Sequence, residues 1–123
     1  MSKTLELRKV IKAKLDTISN SGNTYYEIAD DDCTYPYKVF SFDNIDLGDP
    51  NRDDLILVID IWTKNSKEAD RIADDTEKAF EALNNPTNTI LPTFYRYSRQ
   101  PILDDDKTIK RRQLKIQVQN YER

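Results

Sequence analysis

Leu55-Ile56-Leu57-Val58-Ile59-Asp60-Ile61-Trp62 decides how the rest of this sequence folds. The run is apolar at both odd and even positions, with Asp60 as the exception. Such a pattern predicts a central strand, either covered on both faces or covered on one and packed against a neighbouring subunit on the other. A helix follows at once. Asn65 or Ser66 supplies its cap, Glu68 and Asp70 place acid where the helix dipole favours it, and Ala69, Ile72, Ala73, Thr76, Phe80 and Leu83 recur as a buried stripe. Asn84-Asn85-Pro86 ends that helix. The unit from Leu55 to Leu83 is the core of the domain.

Upstream, Leu5, Val10 or Ile11, Leu15 and Ile18 recur at helical spacing, with lysines on the other faces. They predict an amphipathic helix from about Thr4 to Ser19, ended by Ser21-Gly22-Asn23. Tyr25-Tyr26-Glu27-Ile28 reads as a short strand, and Asp30-Asp31-Asp32 as an acidic turn. From Tyr37 a strand begins in which Val39 and Ser41 alternate with Lys38, Phe40 and Phe42, and Pro36 stands before it, where no ladder donor is needed. Asp43 to Asp54 is polar, contains Gly48 and Pro50, and reads as a loop between two strands.

Downstream, Thr93 to Arg99 reads as a strand, Pro101 to Thr108 as a turn, and Ile109 to Tyr121 as a long strand with Leu114, Ile116 and Val118 on one face. The last two strands form a hairpin. The expected fold is α+β: residues 1–123 as a single domain, with a small, mostly antiparallel sheet of about four to five strands packed with two helices.

Composition limits the function. The chain has 123 residues, 33% charged and 37% hydrophobic, and its apolar residues are gathered into periodic runs, as a folded domain with solvated faces requires. Cys33 stands alone, so no internal disulfide is expected, and the beginning of the sequence has no apolar core like that of a signal peptide. No run of ~18 apolar residues could span a bilayer. These features lead us to expect a cytosolic site of synthesis and no membrane partner.

Histidine is absent, which removes the commonest general base near neutral pH and the commonest transition-metal ligand. Consecutive aspartates at Asp30 to Asp32 and Asp104 to Asp106 point in divergent directions and lack calcium-loop spacing, so they read as solvated turns. Asp60 reads either as a buried acid or as an aspartate paired with an arginine of the C-terminal strand. Cys33 has no histidine neighbour to make a thiolate, and Trp62 reads as a core or interface anchor. Lys110-Arg111-Arg112 is basic, but the net charge is −3 and the aromatic and glycine pattern of RNA-binding sheets is missing. With only Gly22 and Gly48, there is no Gly-rich phosphate loop. The expectation is a protein without cofactor, metal or catalytic residues.

Charge is segregated along the chain. Lys3, Arg8, Lys9, Lys12 and Lys14 precede an acidic middle, and Lys110, Arg111, Arg112 and Lys115 follow it. Such a distribution either steers subunits together or simply solvates separate faces.

Tyr35-Pro36-Tyr37-Lys38-Val39-Phe40 resembles the opening strand of the tail-terminator, or tail-completion, proteins of long-tailed bacteriophages and prophages. Ile59-Asp60-Ile61-Trp62-Thr63, followed by Glu68-Ala69-Asp70-Arg71-Ile72-Ala73-Asp74, is similar to their most recognisable stretch, an apolar strand ending in Trp that leads into a helix bearing Glu-Ala and Ile-Ala. The resemblance spans roughly Tyr35 to Leu83. It implies a non-enzymatic virion protein that forms a ring, typically a hexamer, on the head-proximal end of the tail tube. Such a ring stops tube polymerisation, docks to the head connector and lets DNA pass through its lumen. It is assembled in the host cytoplasm and then resides in the virion at the head–tail junction. A head-completion or connector protein, and a small intracellular binding domain, remain the alternatives. The expected contacts with tube or neighbouring subunits are Asp43, Asp46, Asp49, Arg52 and Asp53 in one segment, Asp104, Asp105, Asp106 and Lys107 in the other, and Trp62 as an interface anchor.

Overall fold

The computed structural model describes residues 3–49, 52–81 and 90–122. Its elements are α1 (Lys3–Asp16), β1 (Asn23–Tyr26), β2 (Tyr37–Asp49), β3 (Arg52–Thr63), α2 (Ser66–Phe80), β4 (Ile90–Ile102) and β5 (Lys110–Glu122). The strands form one five-stranded sheet in the order β1-β2-β3-β5-β4. Only the β1–β2 pair is parallel. The architecture is α+β, as expected.

β3 is central, paired with β2 on one side and with β5 from Arg52↔Tyr121 to Thr63↔Lys110 on the other. Its alternation sorts the molecule into layers. Leu55, Leu57, Ile59 and Ile61 meet Phe40, Phe94, Leu114, Ile116 and Val118 from the other strands. Leu7, Val10, Ile11, Leu15 and Ile18 of α1 and its C-terminal turn, with Ile72, Ala73 and Phe80 of α2, close over them. Each such side chain withdrawn from water contributes ~1.5–3 kcal/mol before entropy is counted. Phe80 and Phe94 meet edge to face, with centroids 5.1 Å apart. Both helices therefore lie on one face, and among the described residues no helix covers the other.

α2 follows its sequence closely. The Asn65 carboxamide oxygen accepts from the backbone N–H groups of Lys67 at 2.9 Å and Glu68 at 3.3 Å, the N-cap that the sequence called for. Ala69, Ile72, Ala73, Thr76 and Phe80 are buried as predicted, while Leu83 and Asn84-Asn85-Pro86 lie outside the described residues. Arg99 of β4 reaches Asp74 at 2.7 Å and Glu77 at 2.8 Å, and Arg112 of β5 reaches Asp70 at 2.8 Å, tying the helix to the sheet margin.

Four expectations need correction. The segment from Asp43 to Asp54 is not a loop, because β2 continues to Asp49 and β3 starts at Arg52, paired through Asp43↔Ile56, Asp46↔Asp54 and Asp49↔Arg52 with register shifts between them. Cross-strand pairing onto a β3 already fixed by β5 overrides the low strand propensity of Asp and Gly. In α1 the core stripe starts at Leu7, and Leu5 is 49% exposed, since it sits two residues, about 200°, round the helix from Leu7. The helix stops at Asp16 rather than Ser19, where Thr17 and Ile18 donate to Lys14 and Leu15 in tighter turns. Finally, β4 reaches Ile102, so Pro101 belongs to the strand, and the connection to β5 is correspondingly shorter.

Candidate assembly surfaces

The face without helices is built by the alternate residues of each strand. Register places Tyr37 opposite Trp62 and Trp62 opposite Arg111. Tyr37 and Trp62 stack nearly parallel, with centroids 5.7 Å apart and planes 9° from parallel. The Arg111 guanidinium lies 3.8 Å from the centre of the Trp62 ring. Tyr35 and Tyr25 pack against Tyr37 at 5.4 and 6.1 Å, and the Lys64 ammonium lies 5.1 Å from the Tyr35 ring. The result is an aromatic and cationic cluster at one end of the sheet. Burial among these rings, beside Cys33 and Tyr35, pushes the Tyr37 phenol up to about 12.

Asp60 belongs to the same face. Its carboxylate accepts from Gln113 at 3.2 Å and lies 3.5 Å from the Arg111 guanidinium. This is the paired aspartate of the two sequence readings, its partner supplied by the C-terminal strand. Among the described residues no three Cys, Asp or Glu side chains converge as a metal-binding group, and no described helix is long and apolar enough to cross a membrane.

The remaining expected contact residues fall into two places. Asp104 to Lys107 form the turn between β4 and β5. There Asp104 accepts from the Asp106 N–H at 3.0 Å, and Asp106 accepts from the amide and hydroxyl of Thr108 at 2.9 and 2.7 Å. Those Thr108 hydrogen bonds hold the Asp106 carboxyl below the usual aspartate range. Asp105, Asp106 and Lys107 are exposed, and Leu103 beside them is 97% exposed. Asp43 is exposed on β2, and Arg52 pairs with Asp54 at 3.1 Å. The side chains of Asp46 and Asp49 lie outside what the structure describes. Asp53 needs correction as a surface contact: strand alternation turns it to the helix side of the sheet, opposite Asn120, and leaves it 6% exposed.

Two features escaped sequence reading. Lys38, on the core side of β2, is completely buried. Its ammonium donates to the Ser21 hydroxyl at 2.6 Å, the Ser21 carbonyl at 3.2 Å and the Gly22 carbonyl at 3.1 Å. The group clamps the α1–β1 turn to the sheet. Burial lowers its pKa to about 8, with Asp16 opposing and Lys12 reinforcing the shift. The second feature is a groove between α1 and the margin of the sheet, lined by Leu5, Arg8, Lys9, Lys12, Tyr26 and Phe40. Arg8 stacks 3.8 Å from the centre of the Tyr26 ring, and Lys12 pairs with Asp16 at 2.7 Å. The lysine alternation in α1 marked a polar face, but only the fold shows that this face borders a sheet margin.

Comparison with solved structures gives an informative likeness. No family model matches the chain, and no curated protein does. Among solved structures, a chain of the virion of a native gene transfer agent (GTA) particle superposes with a TM-score of 0.53 at 15% identity. The match covers 98% of this chain and 92% of that one. At this identity the likeness concerns the fold, and it extends over nearly the whole of both chains.

Proposed function

We propose that this protein is a structural component of a virion, acting as a tail terminator. In this role copies form a ring on the end of the tail tube, stop its polymerisation and present the surface that docks to the head connector. The observation that carries the reading is the end-to-end fold likeness to a chain from a GTA virion, on a sequence whose Tyr35 to Leu83 region resembles tail terminators. The chemistry of the described surfaces agrees with it. The half-buried acid Asp60 is occupied by Arg111 and Gln113, and the helix-free face offers aromatic and cationic contacts rather than a catalytic constellation. The protein on this reading is not an enzyme and needs no cofactor. It works in the host cytoplasm during assembly and ends in the particle, with DNA passing through the ring.

Disruption of the gene tests this directly. The mutant is expected to make heads together with over-long, unjoined tails. Tails of normal length, joined to heads, would overturn the assignment. Normal tails with leaky heads would move the protein to the head-completion role, and absence from purified particles would leave a small intracellular binding domain.

A further inference from the structure

The groove beside α1 and the turn between β4 and β5 are opposites in charge and alike in carrying exposed apolar surface. The groove presents Arg8, Lys9 and Lys12 around Leu5, which is 49% exposed. The turn presents Asp104, Asp105 and Asp106 behind Leu103, which is 97% exposed and so is a leucine with almost no contact of its own. The rigid turn hydrogen bonds Asp106 N–H to Asp104 and Thr108 to Asp106 hold that apex in one shape. Strand order places the two features at opposite margins of the sheet, the groove beside β1 and β2 and the turn on β5 and β4, with β3 between. One copy therefore cannot satisfy both features with its own side chains.

We infer that the Leu103–Asp106 turn of one copy seats in the Leu5–Arg8–Lys9–Lys12 groove of a second copy. Leu103 covers the exposed part of Leu5 and the Tyr26 edge of the groove, while the aspartates face Arg8, Lys9 and Lys12. The contact joins unlike patches, so it is heterologous, and each copy keeps a free groove and a free turn for the next. Opposite charges at its rim speed encounter and set the register, and the leucine supplies the desolvated centre. This deepens the ring proposed above and rests on that reading for its biological use, but it makes its own claim about which surfaces meet.

The test uses two charge-reversed chains in a Cys33→Ser background. One carries Lys9→Glu with Lys12→Glu, the other Asp104→Lys with Asp105→Lys. Sedimentation velocity of the concentrated wild-type protein is expected to show self-association, weakened about tenfold or more in either variant alone. An equimolar mixture should recover it, because the acidic groove of one chain then accepts the basic turn of the other, while the unaltered groove and the unaltered turn meet at the alternate junctions. Thermal melting of each variant close to wild type keeps a folding defect from imitating the result. Wild-type protein that stays monomeric up to ~1 mM, variants that associate like wild type, or a mixture no better than its components would each overturn the inference. Over-long tails in the gene disruption combined with any of these outcomes would leave the tail-terminator role standing and remove only this interface.

Discussion

The ammonium of Lys38 lies 2.6 Å from the hydroxyl of Ser21, inside a molecule where no water reaches either group. An ammonium has three protons, and here each finds an acceptor, the others being the carbonyls of Ser21 and Gly22. All these acceptors are neutral, so burial dominates and draws the pKa from 10.5 down to about 8. Between those two values the unfolded chain holds a proton that the native chain has released. Stability therefore rises with pH across that window. Tyr37 acts in the opposite sense: its phenol, pushed from 10.0 to about 12, keeps a proton that the unfolded chain loses, so stability falls above pH 10. Urea denaturation of the wild type against Lys38→Met should show the wild type gaining on the variant from about pH 8 to 10. A difference that is flat over that range would refute the buried-amine account.

Gly22 makes the clamp possible. Its φ is +72°, and a Cβ there would stand 1.8 Å from the carbonyl oxygen of Pro36. Gly22→Ala is accordingly expected to cost about 3 kcal/mol or more, from left-handed strain plus displacement of a backbone that cannot yield. Asn20, also left-handed at φ 53°, should accept glycine with little change. Chemical denaturation of both variants checks the contrast.

Trp62 is the sole tryptophan, so its fluorescence reports on the Tyr37–Trp62–Arg111 stack alone. Arg111→Ala should shift the emission and lower stability. A double-mutant cycle with Trp62→Phe should give a coupling of about 0.5–2 kcal/mol, the range from exposed to desolvated cation–π contacts. Additive effects would mean that Arg111 serves Asp60 and not the ring.

The parts of the fold that could be read from sequence were those whose periodicity carried its own check. In α2 the small residues Ala69 and Ala73 and the large Phe80 all pointed to one face, and that face is the buried one. β3 was recognisable from Leu55 onward because its short apolar run, with Ile56, Val58, Ile59 and Ile61, is bounded by polar segments. The paired ends of β2 and β3 between Asp43 and Asp54 were not, because β2 extends there by pairing with β3, which distant β5 fixes from its other side, rather than through local preference. Lys38 was assigned to a face with Phe40 and Phe42, yet nothing local shows that this face turns inward. Its partners Ser21 and Gly22 are brought to it only by the turn after α1. The surface residues were the least legible. Asp53 and Asp105 are alike in a string of letters, and only strand alternation separates the buried one from the exposed one.

That both helices among the described residues lie on one side of the sheet also has a consequence for anything built from many copies. A subunit layered in this way is two-sided before it meets a partner: hydrocarbon clad in helix on one side, stacked rings and guanidinium on the other. Copies repeated about an axis keep that sidedness, so the collective body has two unlike surfaces made from a single gene product. One polypeptide can then serve as an adaptor, addressing chemically different neighbours at once without a second binding domain.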